Sequence, residues 1–71
     1  MNELPNIYVD WNDQYGGGQI GLSCKGALED IQRQNLVLTE GLRVRLYGDS
    51  LEAIAVVKRL ISERVWVAQL I

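Results

Sequence analysis

The chain has 71 residues, of which 48% are apolar, and a net charge of −2. A chain of this length holds a single domain, residues 1–71, with one small core. The abundance of aliphatic residues excludes a disordered composition. The slight excess of acid disfavours sequence-independent attraction to DNA or RNA.

The residue types that build most catalytic and metal sites are scarce. The sequence contains no histidine and one cysteine, Cys24. It therefore lacks the commonest general base, the ligands of a zinc site and any internal disulfide. We predict no enzyme activity, no cofactor and no small-molecule substrate. The single thiol and the absence of a leader or a long apolar run predict a cytoplasmic protein without membrane contact.

The first third of the chain predicts two short strands. Apolar and polar residues alternate over residues 7–12 and again over residues 19–24. The glycines Gly16–Gly18 lie between them and disfavour regular structure. We therefore predict a hairpin of these two strands, in which Cys24 points into the core as a buried, inert thiol.

Two features of this region are similar to ligand-binding motifs. Gly16, Gly18 and Gly21 match the pattern G-x-G-x-x-G. A dinucleotide site needs those glycines to open a helix, whereas a strand pattern follows them here, so we interpret them as a hairpin loop. Asp10 and Asp13 could hold a cation or act as a carboxylate pair. We favour the plainer interpretation, in which strand-end aspartates cap turns through their own backbone.

Residues Gly26 to Gln34 predict a short helix. Leu28 and Ile31 share one face of it, so we expect both to point into the core. Asn35 tolerates the left-handed conformation in which helices often end. A helix this short depends on packing against the rest of the fold.

Two later segments have strand patterns. Over residues 42–47, Leu42, Val44 and Leu46 alternate with Arg43, Arg45 and Tyr47. This is the clearest period-two pattern in the chain. Val65–Ile71 is rich in β-branched and aromatic residues and predicts a terminal strand.

The segment Leu51–Glu63 admits two interpretations. As a helix it would start at the N-cap Asp49, with Glu52 completing a capping box, and the fold would be α+β. As a strand, Leu51–Lys58 would form a hairpin with the preceding strand around a three-residue loop. We predict the strand. The fold is then a small, mainly antiparallel β barrel or rolled sheet with one short helix.

The three-residue loop fixes a predicted register for this hairpin. It sets Val44 opposite Ile54 and Leu42 opposite Val56, with both pairs on the core side. The alanines of the second strand would then lie on the outer side, beside the stems of the arginines.

Three runs of the sequence resemble a set of short uncharacterised bacterial proteins: Ile7–Asn12 (I-Y-V-D-W-N), Glu40–Asp49 (E-G-L-R-V-R-L-Y-G-D) and Trp66–Ala68 (W-V-A). In that set, I-Y-V-D-F-N is followed by E-G-x-x-V-x-L-Y-x-D and by W-x-A. The stretch that matches Leu51–Lys58 alternates glycine and acidic residues there, which implies a hairpin strand. This chain departs from the set at Ile54 and Ala55. The resemblance implies no activity.

The candidate interaction face consists of Arg43, Arg45, Tyr47 and Trp66. The first three lie on one strand face, and Trp66 could come near them. Basic residues interleaved with aromatic ones on a small barrel often grip nucleic acid. The plainer interpretation is a solvated outer face on which arginine stems cover apolar neighbours. We favour it over nucleic-acid binding because the whole chain is acidic.

The apolar character of both faces of the later strands predicts a partner. A single small sheet has one core face, so the other face of Leu51–Val57 and Val65–Ile71 needs a cover. A symmetric copy is the commonest cover. We therefore predict a non-enzymatic binding or adaptor module that acts as a homodimer or through another protein. Weak nucleic-acid binding is the alternative, and solvent exposure of Arg43 and Arg45 would favour it.

Overall fold

A computed structural model describes residues 3–71 as one sheet and one helix. The elements in chain order are β1 (Asn6–Tyr8), β2 (Gln19–Gly21), α1 (Lys25–Arg33), β3 (Arg43–Gly48), β4 (Leu51–Leu60) and β5 (Val65–Leu70). The five strands lie in the order β1-β3-β4-β5-β2. The mainly β class with one short helix is therefore confirmed. No helix within the described residues is long and apolar enough to cross a bilayer.

The sheet is mixed and is not closed into a barrel. β1 runs parallel to β3, whereas the other neighbouring strands are antiparallel. β1 and β2 occupy opposite edges of the described sheet. The predicted hairpin of the two N-terminal strands is therefore wrong. Each is only three residues long, and each gains more apolar burial beside a longer strand: Ile7 beside Leu46, and Ile20 beside Ala68.

The segment Leu51–Leu60 is a strand, as predicted, and the alternative helix at 51–63 is excluded. β4 pairs with β3 on one side and with β5 on the other, so most of its residues have a partner strand. These non-local hydrogen bonds and the burial they bring outweigh the capping box that Asp49 and Glu52 offer to a helix.

The register of the β3–β4 hairpin differs from the predicted one by one residue. Its turn contains two residues, Asp49 and Ser50, and Val44 pairs with Ala55 rather than with Ile54. Because side chains alternate between faces, a slip of one residue exchanges the two faces of β4. Ala55 is consequently buried in the core, and Ile54 lies on the other face.

The core lies between one face of the sheet and a cover formed by α1 and the segments that flank it. Its buried members are Ile7, Val9, Ile20, Leu22, Ala27, Val44, Leu46, Ala55, Val57 and Ala68. Trp11, Ile31, Leu36 and Leu38 are partly buried against this cluster. We call the face of the sheet toward this cluster the inner face and the opposite one the outer face.

Helix α1 matches its predicted bounds within one residue at each end. Asn35 has a φ of 52°, as predicted for the residue that ends the helix. The Asn35 N–H donates to the Gln32 carbonyl, and the Leu36 N–H donates to the Ile31 carbonyl, which is the Schellman arrangement.

Two predicted core positions around α1 are not fully buried. Leu28 is 53% exposed, because the inward stripe of the helix contains Ala27, Asp30 and Ile31 instead. Cys24 is half-buried rather than buried. β2 ends at Gly21, so Cys24 lies at the N-cap of α1 and not on an inward strand position.

The β3–β4 turn provides a test of the observed register. Asp49 and Ser50 have φ values of 50° and 64°, a conformation that glycine adopts without the cost paid by other residues. Ser50→Gly should therefore raise the free energy of unfolding by about 1 kcal/mol, measured by urea denaturation. Ser62→Gly, in the β4–β5 turn at a position without positive φ, is the matched control and should bring no gain. Equal effects of the two changes would contradict the two-residue turn.

Candidate interaction face

Three of the four predicted site residues lie together on the outer face of β3. Arg43 and Arg45 are exposed, and Tyr47 is 36% exposed. They alternate with the buried residues of the strand, as the sequence pattern predicts. Their neighbours across the β3–β4 ladder are Val56, Ile54 and Glu52, in that order.

Trp66 does not lie on this face. It pairs with Arg59 across the β4–β5 ladder and packs against the core cluster on the inner side. The Arg59 guanidinium carbon lies 5.2 Å from the ring centroid, a cation–π contact. The register of β4 against β5 decides on which face of the sheet Trp66 lies. Strand periodicity does not reveal that register, so the sequence placed Trp66 with the arginines.

The centre of the outer face is aliphatic. Ile54 and Val56 are half-buried there, and Ile71 beside them is 75% exposed. The Ile71 N–H donates to the Ile54 carbonyl at 3.3 Å, which extends the β4–β5 ladder by one residue. The central strand is therefore apolar on both sides, since Ala55 and Val57 fill the core on the inner face.

The charges on the outer face are unevenly placed along β4. The Arg45 Nη1 and Glu52 Oε1 atoms lie 3.5 Å apart in an exposed ion pair, and Glu3 lines the same shallow cleft. Asp49 lines the adjoining cleft at the β3–β4 turn. The half of the face toward this turn is therefore acidic, whereas the other half carries the exposed bases Arg43 and Lys58 and the half-buried acid Asp13.

Tyr47 links the outer face to a buried carboxylate. Asp30 is only 4% exposed, and its Oδ2 atom accepts hydrogen bonds from the Tyr47 hydroxyl at 2.7 Å and the Tyr8 N–H at 2.8 Å. Its Oδ1 atom accepts from Arg33 Nη2 at 2.5 Å. The buried charge is thus fully hydrogen-bonded, as a buried carboxylate must be.

This carboxylate takes the place of a neighbouring strand. β1 is an edge strand, and Asp30 of α1 binds its outward N–H at Tyr8. Gln34 Nε2 donates to the Asn6 carbonyl at 2.8 Å on the same edge. The helix thereby satisfies backbone groups that would otherwise invite another chain to pair.

The two tyrosines around Asp30 are held in fixed positions. Their ring centroids lie 5.6 Å apart with the planes at 76°, an edge-to-face contact. The Tyr8 ring also lies against Gly26 so closely that a Cβ at that position would overlap it. Gly26 is therefore required at the start of α1 by this close approach.

The environment of Asp30 shifts two pKa values in opposite directions. Burial alone would raise the pKa of Asp30, but the hydrogen bonds from Tyr47, Arg33 and the Tyr8 N–H outweigh it, and the pKa lies below its ordinary value of 3.8. The hydrogen bond to Asp30, together with burial, raises the pKa of the Tyr47 hydroxyl above its ordinary value of 10.0. Asp30 therefore stays ionised, and the Tyr47 hydroxyl stays neutral, across the neutral pH range.

The spacing of residues in α1 indicates that Asp30 lies on the buried face of the helix. The prediction missed this because it placed Leu28 with Ile31 on that face. Ala27, Asp30, Ile31 and Gln34 follow the spacing i, i+3, i+4, i+7 of one helix face. An acid on such a stripe must find donors when the face is buried. The donors themselves, on β1 and β3, are distant in sequence.

The remaining candidates have structural surroundings. The Asp10 Oδ1 atom accepts from the Asn12 N–H at 3.0 Å, which is the turn-capping contact favoured above. Asp13 and Tyr15 lie over Gly21, where a Cβ would collide with them. Within residues 3–71, no three acidic or cysteine side chains are grouped in a way that could hold a metal ion.

The Asp30 contacts predict a pH-dependent stability. Asp30→Asn should lower the free energy of unfolding by about 2 kcal/mol, because the neutral amide cannot serve three donors equally well. The pKa of Asp30 is lower in the folded than in the unfolded state. Its contribution is thus complete above about pH 4 and is lost as the pH falls through the folded-state pKa.

Urea denaturation at a series of pH values tests this prediction. The stability difference between wild type and Asp30→Asn should be constant near neutrality and should narrow below about pH 4. Glu29→Gln, which removes the charge of an exposed neighbour on the same helix, should have little effect. A difference that stays constant down to strongly acidic pH would show that the charge of Asp30 contributes nothing.

No family model, no curated protein sequence and no solved structure matches this chain. The similarity to short bacterial proteins stays a prediction from the three runs quoted above.

Proposed function

We propose that this protein is a non-enzymatic binding module that works as a homodimer through the outer face of its sheet. The observation that carries the proposal is the two-sided apolar character of β4. Its inner residues Ala55 and Val57 are buried, and its outer residues Ile54 and Val56 form an aliphatic patch on the opposite face. Strands that are apolar on both sides are typical of sheets that are covered on both faces.

The edges of the sheet favour the face as the route of association. Helix α1 covers the β1 edge through Asp30 and Gln34. The β2 edge is paired with residues 13–15, since the Tyr15 N–H donates to the Gln19 carbonyl and the Gly21 N–H to the Asp13 carbonyl. Edge-to-edge pairing of two sheets is therefore hindered at both ends.

A second copy is the simplest cover for the patch, because most soluble oligomers are symmetric homo-oligomers. The lone thiol, Cys24, agrees with a cytoplasmic location as part of the same proposal, since the cytoplasm keeps thiols reduced. A separate protein partner that presents an apolar surface would use the same residues.

Replacing Val56 with Lys should abolish self-association. Sedimentation velocity between micromolar and millimolar concentrations should show a dimer for the wild type. The dissociation constant of Val56→Lys should be raised at least about 100-fold, because an interface centre tolerates an unpaired charge poorly. Val37→Lys is the matched control, since Val37 is 75% exposed outside the sheet. A wild-type chain that is strictly monomeric at millimolar concentration would refute the proposal.

Nucleic-acid binding is the second candidate, and the exposure of Arg43 and Arg45 on one face favours it. Other observations weigh against it. Trp66 lies on the inner side, the Tyr47 hydroxyl is bound to Asp30, and Arg45 is paired with Glu52. The face therefore offers few rings for base stacking and only part of its positive charge to phosphates.

The variant Arg43→Glu/Arg45→Glu tests this candidate. If a labelled single-stranded oligonucleotide binds in an anisotropy assay, the double change should abolish binding and flatten its salt dependence. Lys25→Glu/Arg64→Asp makes the same change in net charge away from the face and should leave most of the affinity. Loss that is equal in both variants would show that only the overall charge matters, and unchanged binding in the first would exclude the face.

A further inference from the structure

We infer that the second copy packs on the outer face in reverse orientation, with a two-fold axis at Ala55 and with Glu52 of each protomer opposite Lys58 of its partner. This inference rests on the proposed function and names the arrangement by which it is achieved. The outward residues of β4, in order, are Glu52, Ile54, Val56, Lys58 and Leu60, and the first four form a stripe centred on Ala55.

The spacing of these four residues is self-complementary. Ile54 and Val56 lie one residue on either side of Ala55, and Glu52 and Lys58 lie three residues on either side. A two-fold axis that reverses the strand direction through this point sets Ile54 on the partner's Val56. It also sets each Glu52 beside the partner's Lys58. A two-fold interface requires a patch that complements its own reversed copy, and this stripe meets that requirement.

The dimensions suit contacts between the charged ends. Strands rise about 3.3 Å per residue, so the charged residues lie about 10 Å from the axis along β4. Stacked sheets are also separated by about 10 Å, a gap that a glutamate and a lysine can bridge together. The charged pairs would then flank the aliphatic centre and lie toward the rim of the interface, where water still reaches them.

Neighbouring charges follow the same division. On the side of Ala55 toward the β3–β4 turn, the clefts of the outer face are lined by the acids Glu3, Asp49 and Glu52 and by one base, Arg45. On the other side are the exposed bases Arg43 and Lys58 and the half-buried acid Asp13, which lies over Gly21. Over these side chains, the half toward the turn has a net charge of −2 and the other half a net charge of +1. Reversal brings unlike halves together, and the pairing of Arg45 with Glu52 limits its repulsion of the partner's Arg43.

A charge exchange between two variants tests this arrangement. Glu52→Lys alone sets lysine against lysine at both ends of the dimer, and Lys58→Glu alone sets glutamate against glutamate. Each should weaken dimerisation about tenfold or more at low ionic strength. An equimolar mixture can form heterodimers in which the two introduced side chains, a lysine and a glutamate, meet at one end. The native residues Lys58 and Glu52 meet at the other end. Both contacts are then between unlike charges, so the mixture should regain an affinity close to that of the wild type.

The mixture separates this effect from changes within one chain. Glu52→Lys also breaks the pair with Arg45, but mixing changes neither chain, so restored affinity must arise between protomers. Glu63→Lys and Lys25→Glu, which are exposed and away from the stripe, form the control pair and should show no gain on mixing. Native mass spectrometry of chains of different mass counts the heterodimers directly. The gain should shrink as added salt screens the rim charges.

The outcomes distinguish the two proposals. If the wild type dimerises and Val56→Lys does not, but mixing the charge variants brings no gain, the outer face is the interface and the reversed arrangement at Ala55 is wrong. If the wild type remains monomeric, both proposals fail. A gain on mixing that exceeds that of the control pair, together with dimeric wild type, supports the arrangement.

Discussion

The carboxylate of Asp30 at the edge of β1 joins the helix to the sheet. It binds the Tyr8 N–H of β1, the Tyr47 hydroxyl of β3 and the Arg33 guanidinium of its own helix. A nine-residue helix is marginal by itself, and these bonds fix it to the sheet. The same bonds satisfy an exposed strand edge and hold Tyr47 in place, so one buried acid shapes both the edge and the outer face.

The second organising feature is β4, which is the middle strand of the sheet and carries apolar side chains on both faces. The core covers its inner residues. The neighbouring arginine stems of β3 cover the outer residues Ile54 and Val56 only in part. The two edges of the sheet are covered within the chain, so the apolar surface that remains uncovered lies on the outer face. This distribution of apolar surface is the observation on which the proposed binding role rests.

Charge has a distribution that the linear sequence does not display. By sequence, the acids are enriched in residues 1–40 and the bases in residues 41–71. The fold brings Glu3 of the first part close to Arg45 and Glu52 of the second, at one end of the outer face. The relevant asymmetry therefore runs along the strands of one face rather than between halves of the chain, and it suits a reversed copy of that face.

Features that local interactions control could be predicted from the amino-acid sequence alone. The alternation over residues 42–47 marks β3, Asn35 ends the helix in the left-handed conformation, and the position of Arg43, Arg45 and Tyr47 on one exposed face follows from period two. The pairing of the strands, the register of Ile54, the side of Trp66 and the partners of Asp30 could not be predicted in this way. Each of these depends on contacts between residues far apart in sequence, where a shift of one residue exchanges the faces of a strand while leaving its local pattern unchanged.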